Sequence, residues 1–273
     1  MKGAIECSNI VSTVSPSYAE EIKTAEYAHG LEGEIIRAAE EGKLCGILNG
    51  IDTVFYNPKR DKALFKPFDK SDLGLKKENK EELQKMLGLP VLDVPVIGMV
   101  SRLVAHKGLD ILKNAFNDLM NLDVQLVVIG TGDAYYEGFL KDMEAKYANK
   151  VKIILAFNQD LARKIYASSD LFLMPSKSEP CGLSQMIASR YGAIPMVRET
   201  GGLKDSIKNF NEKGGNGYTF AGFEAYALVD MVKRAVADYN SENWSELVEK
   251  VMSVDFSWKV SAKEYVKMYK KVL

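Results

Sequence analysis

From Asp93 onward the chain alternates short runs rich in Val, Ile and Leu with amphipathic stretches, the pattern of repeated βα units and a parallel sheet. Val94 to Val100 predicts a strand. Lys107 to Leu119 predicts a helix, because Leu109, Leu112, Phe116 and Leu119 recur at helical spacing. Gln125 to Ile129 is the next expected strand. The turn Gly130-Thr131-Gly132-Asp133 then opens a helix reaching about Tyr147, and Lys152 to Leu155 follows as a strand. Leu161 to Ala167 reads as helix, Leu171 to Met174 as strand, Pro175 to Pro180 as turn, Gly182 to Tyr191 as helix and Ile194 to Val197 as strand. The expected fold class is α/β, a Rossmann-like doubly wound parallel sheet.

Outside this core the pattern is looser. Ile10 to Ser15 predicts a strand, Ser15-Pro16 a helix start and Ala19 to Glu26 its body. Phe65 to Lys85, dense in Lys, Asp and Glu, predicts an exposed loop leading into a surface helix whose charges face solvent. After Tyr218-Thr219-Phe220 three helical stretches close the chain, the last over Lys259 to Leu273.

A length of 273 residues suffices for one large domain, or one domain with part of a neighbour, around a well-buried core. Lys plus Arg (36) against Asp plus Glu (37) leave a net charge of -1, so no broad field recruits nucleic acid or an anionic membrane. Any anion site must be local. Cys7, Cys45 and Cys181 are odd in number and widely spaced, which fits reduced thiols rather than a disulfide framework. His29 and His106 are the only histidines and form no paired motif, so no metal and no other cofactor is expected. No apolar run has membrane-spanning length, and the N-terminal segment lacks the apolar stretch of a signal peptide, which makes the cytoplasm the expected location.

Open α/β sheets bind ligands beyond the carboxyl ends of their strands, and four turns lie there. Ser101-Arg102-Leu103 with His106-Lys107-Gly108 brings two cations to an expected helix start, where free N–H groups already favour an anion such as a diphosphate. Two cations that simply lie on the surface are the alternative. Glu179-Pro180-Cys181-Gly182-Leu183 places a carboxylate before a helix. It reads either as a ligand for sugar hydroxyls beside backbone N–H groups, or as an acid that only complements the helix dipole. Gly130-Thr131-Gly132-Asp133 reads mainly as a structural turn, and Thr200-Gly201-Gly202-Leu203 as a turn that approaches a ligand or merely reverses the chain. There is no Asp-x-Asp pair to hold a divalent cation, and no Gly-x-x-x-x-Gly-Lys-Ser/Thr phosphate loop.

Taken in order, these segments resemble the bacterial glycogen synthase and plant starch synthase family over nearly the whole chain. The residues that carry the resemblance are Thr13-Val14-Ser15-Pro16-Ser17-Tyr18-Ala19, Asn49-Gly50-Ile51-Asp52, Tyr56-Asn57-Pro58, Ser101-Arg102-Leu103 and Lys107-Gly108-Leu109-Asp110. Further on come Asp170-Leu171-Phe172-Leu173-Met174-Pro175-Ser176, Glu179-Pro180-Cys181-Gly182-Leu183, Thr200-Gly201-Gly202-Leu203 and Phe256-Ser257-Trp258. The resemblance implies the GT-B architecture, two Rossmann-like domains facing across a cleft, of which this chain would be the C-terminal, donor-binding one. On that division residues 1–45 would be the end of the N-terminal domain and its crossover, 46–257 the nucleotide-sugar domain, and 258–273 a helix crossing back to an N-terminal domain absent from the chain.

The implied reaction is retaining transfer of glucose from ADP-glucose to the 4-hydroxyl of an α-1,4-glucan, with no nucleic acid, membrane or metal involved. By the same resemblance Arg102 and Lys107 would contact the donor phosphates and Glu179 the transferred glucose. Gly182, Leu183, the backbone of Cys181, Ser184 and Thr200 would line the sugar and phosphates, and Asn49 would stand near the glucose. Phe157, where relatives often carry Tyr, would pack beside the adenine, and Tyr56 stands where Trp is more usual. The glucan would be held through the other domain, so a fragment that binds ADP-glucose without turnover is one alternative. A related enzyme using another nucleotide sugar is the second.

Overall fold

The computed structural model describes residues 1–271. In chain order its elements are α1 (Lys2–Cys7), β1 (Val11–Thr13), α2 (Pro16–Glu21), α3 (Ala25–Ala28), α4 (Glu32–Glu40), β2 (Leu44–Gly46) and α5 (Leu73–Met86). Then come β3 (Val96–Val100), a 3-10 turn (Ala105–Lys107), α6 (Leu109–Met120), β4 (Gln125–Ile129), α7 (Ala134–Lys146), β5 (Val151–Ile154) and α8 (Gln159–Ser168). The chain closes with β6 (Leu171–Met174), α9 (Ser184–Arg190), β7 (Ile194–Arg198), α10 (Gly201–Ser206), β8 (Tyr218–Phe220), α11 (Ala225–Tyr239), α12 (Trp244–Met252) and α13 (Trp258–Tyr269).

Strands β3 to β8 form one sheet in the order β5-β4-β3-β6-β7-β8, and every pairing is parallel. Counting from β3, this is the 3-2-1-4-5-6 order of the Rossmann sheet. Its direction of winding reverses between β3 and β6, so the loops leaving those two strands diverge to opposite faces and leave a crevice between them. Successive strand residues serve opposite faces: Leu126 and Val128 of β4 join the core under α6, whereas Val127 and Ile129 pack with Leu83 of α5 and Ile165 of α8. Burial on both faces explains the near-continuous apolar strands. A separate parallel pair, β1 with β2, belongs to the N-terminal segment.

Several sequence expectations change here. The helix expected over Ala19 to Glu26 stops at Glu21, and a second short helix begins at Ala25. Lys107 lies on the 3-10 turn rather than in a helix, because Gly108 at φ 79° breaks the path before α6 begins. A Cβ on Gly108 would run into the Pro175 carbonyl, so this turn and the β6 loop touch backbone to backbone. The helix expected from Gly182 starts at Ser184, and Thr200-Gly201-Gly202-Leu203 is no mere turn but the start of α10. Tyr269 ends α13, and Leu273 lies outside the described residues.

The largest departure is α5, expected to turn all its charges to water. Lys76, Asn79, Lys80 and Gln84 are buried along one face. Lys76 Nζ donates to the carbonyls of Ala167 (2.9 Å), Ser169 (2.7 Å) and Tyr191 (3.1 Å), capping chain ends left by α8 and α9. Lys80 Nζ pairs with Asp170 Oδ2 at 2.8 Å, and the same carboxylate oxygen accepts from the Val96 N–H at 2.8 Å. The charge pattern hid this face because a lysine's long apolar stem packs as a hydrophobe while its ammonium finds partners at depth.

Candidate functional site

The crevice at the reversal point is built by the loops that leave β3 and β6. After β3, Leu103 pairs with Gly132 and carries the chain into the 3-10 turn, which sets Arg102 and Lys107 on the same rim. After β6, the N–H of Lys177 donates to the His106 carbonyl at 2.9 Å, fastening the two loops together. Lys107 Nζ thereby reaches Glu179 Oε2 at 2.6 Å, with side-chain exposures of 17% and 9%. The hydroxyl of Ser176 donates to the same oxygen at 3.3 Å. Arg102 stands further out, with its Nη2 3.3 Å from His106 Nε2. Burial, with help from the Lys107 and Arg102 charges, lowers the His106 pKa below its ordinary value. A neutral imidazole can then accept from Arg102.

The loop from Cys181 to Leu183 is oriented from behind. Gln185, fully buried, donates through Nε2 to the carbonyls of Cys181 (3.2 Å) and Gly182 (2.9 Å) and to Ser206 Oγ (3.0 Å). In a trans peptide the N–H points opposite to the C=O. Holding those two carbonyls inward therefore turns the N–H groups of Gly182 and Leu183 toward the crevice. There, with Arg102, Lys107, Glu179 and Ser184, they line a cavity of about 250 Å³. Next to it, sharing Ser101, Arg102 and Ser184, lies a mostly apolar cavity of about 300 Å³ walled by Tyr56, Ile129, Ala162, Tyr166 and Ile187, with Phe157 at its rim. One end of the crevice thus offers cations and N–H donors, and the other offers aromatic and aliphatic surface.

Of the expected site residues, the structure brings Arg102, Lys107, Glu179, Gly182, Leu183, Ser184 and Phe157 to this crevice. Phe157 is 91% exposed, so its ring is an open flap rather than a packed wall. Cys181, Asn49 and Thr200 stand behind the lining. Burial raises the Cys181 thiol pKa, and the backbone N–H of Asn49 beside the sulfur offsets part of that rise. The Thr200 hydroxyl donates to Glu21 Oε1 at 2.9 Å, and the Gly201 N–H donates to the same oxygen at 2.7 Å. Gly202 presses against Cys181: its N–H donates to the Glu179 carbonyl at 3.0 Å, and a Cβ on it would overlap the Cys181 carbonyl. The Thr-Gly-Gly segment therefore supports the Glu179 loop. Its small residues were legible as close approach; what they approach was not.

Sequence reasoning missed Gln185, Ser176 and Glu21. Gln185 follows Cys181 and Gly182 by four and three residues, the spacing of a side chain that reaches back to a helix entrance, and that was the one available signal. The N-terminal segment is also fastened to the site. Ser15 Oγ donates to the Pro180 carbonyl at 2.5 Å, and Ser17 donates to Asp205 through both its N–H and hydroxyl at 2.7 Å. Among the described residues no group of three or more His, Cys, Asp or Glu is arranged to hold a metal, and no helix is long and apolar enough to cross a membrane.

Comparison with known proteins agrees with this geometry. The family model described as "Glycosyl transferases group 1" matches residues 80–251, and that of the "Starch synthase catalytic domain" matches residues 1–37. The chain is 49% identical to a glycogen synthase of Kosmotoga olearia and 47% identical to one of Geobacillus thermodenitrificans, covering all of this chain and 58% and 57% of those proteins. It thus spans a little over half the length of these relatives. Among solved structures, the catalytic domain of starch synthase IV from Arabidopsis thaliana, bound to ADP and acarbose, superposes with a TM-score of 0.92 at 41% identity. That match covers 99% of this chain and 57% of the other. A sucrose-phosphate synthase of Thermosynechococcus elongatus, at 19% identity and a TM-score of 0.68, shares the fold. With the family model covering the sheet and its crevice from α5 to α12, the chain belongs to the group 1 glycosyl transferases.

Proposed function

We propose that this chain is the donor-binding half of a retaining glucosyltransferase that moves glucose from ADP-glucose to the 4-hydroxyl of an α-1,4-glucan. The observation that carries the reading is the Lys107–Glu179 pair, 2.6 Å apart and mostly buried at the reversal point of the sheet, in the N–H-lined pocket that adjoins an apolar one. A diphosphate fits between Arg102, Lys107 and the N–H groups of Gly182 and Leu183. The adenine would lie in the apolar cavity against Tyr56 and Phe157, and the glucose near Glu179.

As the bond from the anomeric carbon to the diphosphate breaks, charge accumulates on the leaving oxygens. Arg102, Lys107 and the two N–H groups stand ready to stabilise that charge without a metal. The bond to the acceptor 4-oxygen forms on the face the diphosphate leaves, which gives retention, and the hydroxyl proton passes to the departing phosphate oxygen. Glu179, whose Oε2 is held by Lys107 and Ser176, is assigned no nucleophilic role. Its role is to orient glucose and to balance positive charge at the anomeric carbon. The resemblance to glycogen synthases that this chain covers only in part supports a further statement: the glucan would be held by a second domain, so this chain binds donor but does not extend glucan alone. Calorimetric titration with ADP, ADP-glucose and UDP, beside a glucan-extension assay, tests this. Selective binding of the adenine nucleotides without extension is expected, and equal binding of UDP or no binding of any nucleotide would overturn it.

A further inference from the structure

At the other end of the sheet, where Asp93 precedes β3 and Asp170 precedes β6, lies a cavity of about 390 Å³. The five residues of β3 separate the two, a distance on the order of 17 Å at the rise of an extended strand. Its walls are α5, the end of α11 and the start of α12, and it holds three lysines, two aspartates and two aromatic rings.

The lysines suggest an anion site, but their bonding argues otherwise. Lys76 spends its donors on three carbonyls, and Lys80 spends donors on Asp170 and on the Tyr239 hydroxyl at 2.7 Å. Asp93 and Asp170 would repel a phosphate. What stays available is a neutral mixture. Lys77 Nζ and Asp93 Oδ2 lie 3.6 Å apart, beyond a hydrogen bond, and both side chains are more than half exposed, at 61% and 73%. Beside them Trp244, edge-on to Tyr239 at 5.1 Å, presents a half-buried indole, with Ser245 exposed next to it. An aromatic face flanked by one donor, one acceptor and hydroxyls is the chemistry that binds a sugar ring, whose C–H face stacks while its hydroxyls both give and take hydrogen bonds.

We propose that this cavity is a second carbohydrate site that binds a glucose unit of an α-1,4-glucan, remote from the donor crevice. The choice of glucan rests on the function proposed above; the sugar chemistry rests on the cavity itself. An enzyme that extends a polymer gains from a second anchor, because tethering raises the local concentration of chain ends without improving the catalytic cleft.

The chain has two tryptophans, Trp244 and Trp258, so Trp258→Phe leaves Trp244 as the sole indole reporter. Titration of this variant with maltoheptaose should give a saturable change in fluorescence. Adding Lys77→Ala should weaken the affinity at least threefold, and saturating ADP should leave the curve unchanged. Calorimetry on the wild-type chain and on Lys77→Ala alone reads the same threefold loss should Trp258→Phe misfold. The proposal is overturned by the absence of saturable binding, by binding that ADP abolishes, by an affinity indifferent to Lys77→Ala, or by inorganic phosphate producing the response in place of the sugar. If ADP binds in the crevice and maltoheptaose does not bind here, the second site is lost and the donor reading stands. If maltoheptaose binds and ADP does not, the reverse holds.

Discussion

Replacing Glu179 by Gln should tighten the binding of ADP. The carboxylate oxygen lies 2.6 Å from Lys107 Nζ, so it offsets the charge that is proposed to hold the diphosphate. A phosphate oxygen on the far side of the same ammonium would make a charge-assisted hydrogen bond of about 2.8 Å, placing it roughly 5.4 Å from the carboxylate. At that separation two unit negative charges repel by roughly 3 kcal/mol with an effective dielectric constant of about 20. The crevice opens to water, so we reduce this about two- to threefold, to roughly 1–1.5 kcal/mol, which corresponds to a gain in affinity of about five- to twelvefold. The Gln amide oxygen still accepts from Lys107, so the loop keeps its anchor. Calorimetric titration of both proteins with ADP measures the effect directly. In an enzyme completed by its acceptor domain the same change should lower turnover, because glucose loses its orienting carboxylate. Weaker ADP binding in Glu179→Gln would refute the reasoning: it would mean that Glu179 positions Lys107 without opposing the phosphates.

Three further substitutions test the scaffold. Gly202→Ala forces a Cβ into the Cys181 carbonyl and should cost several kcal/mol, on the order of a severe overpacking change, with loss of ADP binding; an unchanged melting temperature would contradict the packing described. Asp170→Asn leaves Lys80 buried without its charge partner and should cost about 3–5 kcal/mol in urea unfolding, whereas a loss under about 1 kcal/mol would show the pair to be dispensable. Burial holds Lys76 down to about 7, with the nearby Asp170 charge opposing the shift. Between about pH 7 and the unfolded value of about 10.4, the unfolded chain binds more protons than the folded one, so stability attributable to Lys76 should rise with pH across that window, by at most about 1.4 kcal/mol per pH unit. Lys76→Met abolishes that rise and orphans carbonyls, so urea unfolding at pH 7 and pH 9 should show its deficit growing with pH; a constant deficit would refute the assignment.

The core of the fold was legible because its strands are buried on both faces: the strands expected at Gln125 to Ile129, apolar from Leu126 on, and at Leu171 to Met174 match β4 and β6 residue for residue. Boundaries failed where tertiary contacts decide them. Gly108 ends the 3-10 turn because Pro175 crosses above it, and α9 waits until Ser184 because the Cys181 and Gly182 carbonyls are claimed by Gln185. The crevice was legible to the extent that it is made of strand-end turns: Arg102, Lys107 and Glu179 stand together as their positions in the βα pattern require. What escaped were residues that act on other residues. Thr200 carries the look of a ligand-facing hydroxyl, yet it is turned to Glu21, a partner 179 positions away that no local pattern announces. Lys76 and Lys80 escaped for the opposite reason, since lysine is normally a surface residue and only the surrounding carbonyls and Asp170 make its burial tolerable.

The central claim is that Arg102 and Lys107 hold a nucleoside diphosphate at the reversal point of the sheet. A crystal structure of this chain grown with ADP tests it most directly. The account predicts the β-phosphate within hydrogen-bond distance of Arg102, Lys107 and the Gly182 and Leu183 N–H groups, with the adenine between Tyr56 and Phe157. ADP bound elsewhere, or bound in the crevice with its phosphates turned away from both cations, would contradict it.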